Sequence, residues 1–112
     1  MLATTTGVDF NNGAKGTIYT VPTGKSCIVH SIVIRAASGD LHLNQNSFGF
    51  NGAATDVIAN AAYANLTGGT VYIRVSSKDA STVGTSGQIF GLFCNSTNTA
   101  GTVTIDVFGY LI

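Results

Sequence analysis

An all-β fold, a single-domain antiparallel β-sandwich of jelly-roll-like type, is what this 112-residue sequence predicts. Three observations predict it. Thr, Val and Ile number 34, against 26 for the helix formers Ala, Leu, Lys, Gln, Arg and Met. Branching at Cβ suits a pleated strand and crowds a helix. The 14 glycines supply tight turns, and between those turns short runs alternate apolar and polar residues with period two.

Residues 1–16 are polar and Gly-containing and read as an N-terminal arm or irregular lead-in, so the sandwich domain is expected over 17–112. Thr17–Val21 is a short strand. Val21-Pro22-Thr23-Gly24-Lys25 then reverses the chain, with Pro22 presetting φ and Gly24 tolerating the far side of the turn. Cys27–Ala36 is the strongest strand. Ile28, Ile32 and Ile34 share one face and Val29 and Val33 the other, as expected of a central strand or one whose outer face meets a partner. After a turn at Ala37–Asp40, Leu41 and Leu43 alternate with His42 and Asn44, and Ser47–Phe50 adds an extended piece ended by the turn Asn51-Gly52. Asp56–Leu66 fits either a short helix capped by Asp56 or an extended segment. Val71, Ile73 and Val75 alternate with Tyr72 and Arg74 in the next strand, and Ser76–Gly87 is a polar loop. Ile89–Cys94 is a strand with two apolar faces. Asn95–Gly101 turns into a last strand with Val103, Ile105 and Val107 inward and Thr102, Thr104 and Asp106 outward, and the C-terminus stays in the sheet.

Charge is scarce. Only 9% of residues are charged (five Asp, no Glu, three Lys, two Arg), where an ordinary soluble domain is about a quarter charged. A small domain cannot hide that deficit by burial. Its surface must be Thr, Ser, Asn, Gly and apolar atoms, with little electrostatic protection against association. Such a chain is made to pack against neighbours. With zero formal charge and a pI near 6.7, it has no basic field for nucleic acid or an anionic membrane surface. No run approaches the roughly 18 apolar residues of a membrane span. Met1-Leu2-Ala3-Thr4-Thr5-Thr6 has neither the basic nor the apolar region of a secretory signal, so folding in a cytoplasm is expected. Cys27 and Cys94 lack metal-ligand spacing and sit in apolar runs. They are expected as buried free thiols, with a pairing left open if their strands are neighbours.

No constellation of catalytic type stands out, and no cofactor or metal site is assigned. Without Glu, acid–base pairs would have to come from Asp9, Asp40, Asp56, Asp79 and Asp106, which are scattered. Asp40 and Asp56 flank turns, where Asp bonds nearby backbone. Asp79 follows Lys78 in a loop, and Asp106 lies outward on the last strand. His42 points outward, whereas His30 shares parity with Ile28 and Ile32, as a core or interface residue would. No third ligand is spaced to join the two histidines around a metal. Gly84-Thr85-Ser86-Gly87 has neither the Lys nor the helix of a phosphate-binding loop. Asn65-Leu66-Thr67 and Asn95-Ser96-Thr97 match the glycosylation sequon at chance frequency. Tyr63, Phe48 and Phe50 are the aromatics available to a sugar, although core packing is the expected use of both phenylalanines.

Two stretches carry a resemblance. Tyr19-Thr20-Val21-Pro22-Thr23-Gly24-Lys25, running into Ser26-Cys27-Ile28-Val29-His30-Ser31-Ile32-Val33-Ile34, resembles the opening of small tailed-phage virion proteins, and Gly87-Gln88-Ile89-Phe90 with Gly101-Thr102-Val103-Thr104-Ile105-Asp106-Val107 is similar to their closing strands. Where such proteins carry Ala-Gly-Asp before the penultimate strand this chain has Ser86-Gly87-Gln88, and Asn46–Leu66 has no counterpart. The resemblance implies a β-sandwich component of a virion, made in the host bacterial cytoplasm. One such role is capsid decoration: a homotrimer that cements major capsid subunits or other virion proteins by binding alone. The residues themselves offer the outer face of Cys27–Ala36 and the polar arm 1–16 as contact surfaces for it, with Val29, Ser31, Val33, Arg35 and Asp106 as candidate interface. The alternative is a receptor- or glycan-binding module of a tail or fibre, using loops Asp40–Asn51 and Ser76–Gly87.

Overall fold

The computed structural model describes residues 1–78, 82–96 and 98–112. Among them are nine strands and no helix: β1 (Ala3–Asp9), β2 (Gly16–Thr20), β3 (Cys27–Arg35), β4 (Gln45–Gly49), β5 (Ile58–Ala62), β6 (Ile73–Ser76), β7 (Val83–Gly84), β8 (Ile89–Ser96) and β9 (Thr102–Leu111). The first sheet has the order β1-β9-β3-β6, with β7 continuing along the β6 side of β3, and the second has the order β2-β8-β4-β5. All pairings are antiparallel. The first four strands alternate between the sheets, so most strand neighbours are distant in sequence.

Both sheets contribute to one apolar core. Val8, Ile32, Ile34, Val103, Ile105 and Val107 face it from the first sheet, and Ile18, Phe48, Phe90 and Leu92 from the second. Phe48 and Phe90 stack at 6.4 Å, and Phe50 meets Phe90 at 5.4 Å. Removing such side chains from water is the main favourable term. Cys27 and Cys94 are buried and free, one in each sheet, and burial pushes both thiols up.

The motif Val21–Lys25 folds as a turn in which Lys25 N–H donates to Pro22 O and Gly24 takes φ 80°. Pro22 therefore stands at the first position of the turn, one place earlier than a φ-presetting role requires, and glycine fills the position that needs positive φ. A second turn repeats the design, with Gln88 N–H donating to Thr85 O and Gly87 at φ 79°. The two lie side by side: Val21 N–H donates to Gln88 O, Gly87 N–H to Val21 O, and Gly24 N–H to Ser86 Oγ.

Three expectations need correction. Residues 1–16 contain an edge strand: β1 pairs with β9, Val8 and Phe10 are in the core, and Thr5 Oγ donates across the layers to Ile18 O at 2.7 Å. Leu41–Asn44 is a turn and not a strand, closed by Asn44 N–H to Leu41 O, so Leu41 is buried while Leu43 is 55% exposed. Of the two readings open for Asp56–Leu66, the structure takes the extended one, around β5. Within Ser76–Gly87, Val83–Gly84 forms β7 against Cys27 and Ile28.

Candidate functional site: the outer face of the first sheet

The site begins with an irregularity in β3. Opposite β9 the register runs Ile28 to Tyr110, Val29 to Gly109, then Ser31 to Phe108 and Val33 to Asp106, which leaves His30 as an extra residue. A bulge of this kind places two residues against one and reverses the inside–outside parity beyond it. Cys27 and Val29 therefore point to the core before the bulge, as Ile32 and Ile34 do after it. Val29, assigned by simple alternation to the same outer face as Val33, is 1% exposed. Ile28 moves outward by the same shift. Ser31, Val33 and Arg35 keep the outer side by register with Phe108, Asp106 and Thr104, although Ser31 is covered by its neighbours. His30 and Ser31 face Phe108 together, with Ser31 Oγ 3.0 Å from His30 Nδ1 and the His30 ring 5.6 Å from Tyr110. Gly109 accommodates the close approach, since a Cβ there would overlap Ile28 O.

β6 completes the face. Its register sets Arg74 beside Val33 and Ser76 beside Ser31, and Tyr72 continues the same parity. Both arginines of the chain thus stand on this one face, with Tyr72 70% exposed at its margin. At the far end Val83, Ile28 and Tyr110 form a row across three strands. Ile112, held by two backbone hydrogen bonds to Ser26, extends that apolar end, and Tyr110 is 61% exposed.

Between the two ends lies an ion pair. Arg35 Nε donates to Asp106 Oδ2 at 2.8 Å and Nη2 to Oδ1 at 3.3 Å, while Thr4 Oγ donates to Oδ1 at 2.8 Å. The Arg35 guanidinium, then the Thr4 hydroxyl, hold the Asp106 carboxyl below the usual range against the opposing effect of burial. Donors on two strands thus fix one carboxylate on a third, β9, and tie β1, β9 and β3 together on their outer side. Arg74 has no ion pair among the described residues and can meet an incoming carboxylate.

The other sequence candidates lie elsewhere. Asp40 caps its own turn, contacting the backbone and ring of His42. Asp56 accepts from the backbone N–H of Phe50 and Asn51, Asp9 accepts from Asn11 N–H, and Asp79 falls outside the described residues. Among the described residues no three of His, Cys, Asp or Glu come together as a metal would require. Phe48, Phe50 and Tyr63 are all buried, and burial pushes the Tyr63 hydroxyl up to about 12. Sequence reasoning missed Asn44, which is wholly buried and joins two loops. It accepts from Asn98 and Thr99 N–H and donates to Phe10 O and Thr99 O. It also missed Tyr72, Arg74 and Tyr110 as members of the outer face. The adjacent polar pair His30-Ser31 inside an apolar strand was the one local sign of the bulge that sorts them.

A face made of two arginines, exposed tyrosines and β-branched residues is suited to binding another protein surface. Comparison with protein-family models, with curated proteins and with solved structures finds no match to this chain.

Proposed function

We propose that this chain is a non-catalytic structural protein of a tailed-phage-like virion, a jelly-roll β-sandwich that decorates the capsid and cements neighbouring subunits. The strand order supports the jelly-roll part. With β6 and β7 taken as one position, β1-β9-β3-β6 facing β2-β8-β4-β5 is the order two interlocked Greek keys produce in the eight-stranded jelly roll of many viral coat domains. The resemblance of the Tyr19–Lys25 opening supports the virion setting.

The observation that carries the functional reading is the outer face of the first sheet. A chain with so few charges places both arginines and two exposed tyrosines there, residue types enriched at binding hot spots. In this reading Tyr72, Arg74 and Val33 contact a capsid subunit, the Arg35–Asp106 pair keeps the surface rigid, and Arg74 meets a carboxylate of the partner. The protomers form a trimer, so that several weak contacts act together. Neither nucleic acid nor membrane takes part.

The test is particle stability. Particles assembled without the protein should rupture at lower temperature and under milder osmotic shock than decorated ones, and re-addition of purified protein should restore resistance. Arg74→Glu protein, folded but charge-reversed, should fail to restore it. Equal stability with and without the protein would overturn cementing. Light scattering should show three times the 11.5 kDa protomer mass. A monomer would remove the avidity component.

A further inference from the structure

We infer that the outer face of the second sheet holds a binding site for the acetamido group of an N-acetylated sugar. The inference is independent of what the first sheet binds. A recess of about 110 Å³ lies between β8 and the loop after β4, lined by Gly52, Ala53, Thr55, Phe93 and Asn95. An apolar cavity of roughly 150 Å³ accommodates benzene, so this recess takes a small group and not a whole sugar ring. Its lining is mostly apolar, with Phe93 and Ala53 suited to a methyl group, and two polar side chains enter it.

Those two side chains have opposite capacities left over. Asn95 Nδ2 donates to Asn60 Oδ1 at 2.9 Å, to Phe93 O at 3.2 Å and to Ser47 Oγ at 3.3 Å. Its Oδ1 receives no hydrogen bond among the described residues. The bond to a main-chain carbonyl fixes which end of the amide is nitrogen. Thr55 Oγ accepts from Asn51 Nδ2 at 3.1 Å, and its own hydrogen has no acceptor among the described residues. An acetamido group needs one acceptor for its N–H, one donor for its carbonyl and an apolar place for its methyl, and the recess offers all three. Outside the recess Asn60 Nδ2 donates to Gln45 Oε1 at 3.1 Å, which extends an exposed row of amides. Amides donate and accept alike, as sugar hydroxyls require, and this row favours a sugar over a peptide as the bearer of the acetamido group.

The wall is already in place. Asn51 Oδ1 accepts from Thr55 N–H at 2.8 Å, and Lys15 Nζ donates to the carbonyls of Phe50 and Asn51 at 2.8 and 2.7 Å. Asp56 Oδ1 holds Phe50 N–H from the other side. A loop so fixed loses little entropy on binding.

The test is a titration of ¹⁵N-labelled protein followed by NMR, with N-acetylglucosamine, glucose and N-acetylalanine methylamide as probes. Expected are shifts at Gly52, Ala53, Thr55 and Asn95 with N-acetylglucosamine at about millimolar Kd, and none with glucose. Ala53→Leu, which fills the recess, should abolish them, and Thr55→Val should weaken binding by about tenfold. No shifts at these residues, equal shifts with glucose, tighter binding of the peptide probe, or unchanged binding by folded Ala53→Leu protein would each overturn the assignment. None of these outcomes bears on capsid binding.

Discussion

Val29 and Val33 have the same side chain on the same strand, four residues apart, and an unbroken strand would give them equal environments. The bulge at His30 separates them, and truncating each to alanine measures that separation. Val→Ala removes two methyl groups, each worth about 0.8 kcal/mol when buried. At Val29, 1% exposed, the resulting void adds to the loss, for a total of about 2–3 kcal/mol. At Val33, half-buried on the outer face, the cost is about 0.5 kcal/mol. Both variants lose the same strand preference, so the contrast reports burial alone. Unfolding entropy of about 2.1 cal/mol/K per residue over 112 residues gives about 4 °C per kcal/mol. Val29→Ala should therefore lower Tm by about 8–12 °C and Val33→Ala by about 2 °C. Thermal unfolding followed by circular dichroism reads both, with urea midpoints as a cross-check. Equal losses, or a larger loss at Val33, would show that β3 runs without the bulge and that the face is wrongly assembled.

Asp106 adds a pH dependence. Its carboxyl is held below the usual range by Arg35 and Thr4, so it stabilises the fold above the unfolded value of about 3.9. That contribution is lost as pH falls through the lower folded value. The Tm gap between wild type and Asp106→Asn should be open at neutral pH and close below about pH 4; a gap independent of pH would show that the pair contributes nothing through charge. Gly109→Ala should cost about 1–3 kcal/mol, because the new methyl meets the Ile28 carbonyl, and an unaffected urea midpoint would mean that β3 and β9 lie farther apart. Attachment to particles should change by less than about threefold between low and moderate salt, since few charges are involved; a steep salt dependence would point to an electrostatic partner.

The strands that alternate cleanly were legible: Thr17–Val21, Ile73 with Val75, and Val103–Val107 show their period in the residues themselves. β1 was not, because Ala3–Thr6 carries no apolar alternation and an edge strand needs only the inward Val8 and the following Phe10 to anchor it. Leu41–Asn44 alternates and yet turns, since Leu41 and Asn44 are both buried in spite of opposite polarity, and Asn44 owes its place to four hydrogen bonds that sequence does not display. β5 was masked by its alanines, which suit a helix until Ile58 finds Phe48 across the sheet. Of the candidate face, Val33, Arg35 and Asp106 were legible by parity. Tyr72 and Arg74 came to it only through the pairing of β6 with β3, a contact between segments some forty residues apart.

The capsid role proposed above predicts that cryo-electron microscopy of the intact particle shows one copy set at each repeating capsid position, with Tyr72, Arg74 and Val33 buried against a capsid subunit. Density confined to the tail, or a capsid-bound copy whose first sheet faces solvent, would contradict it.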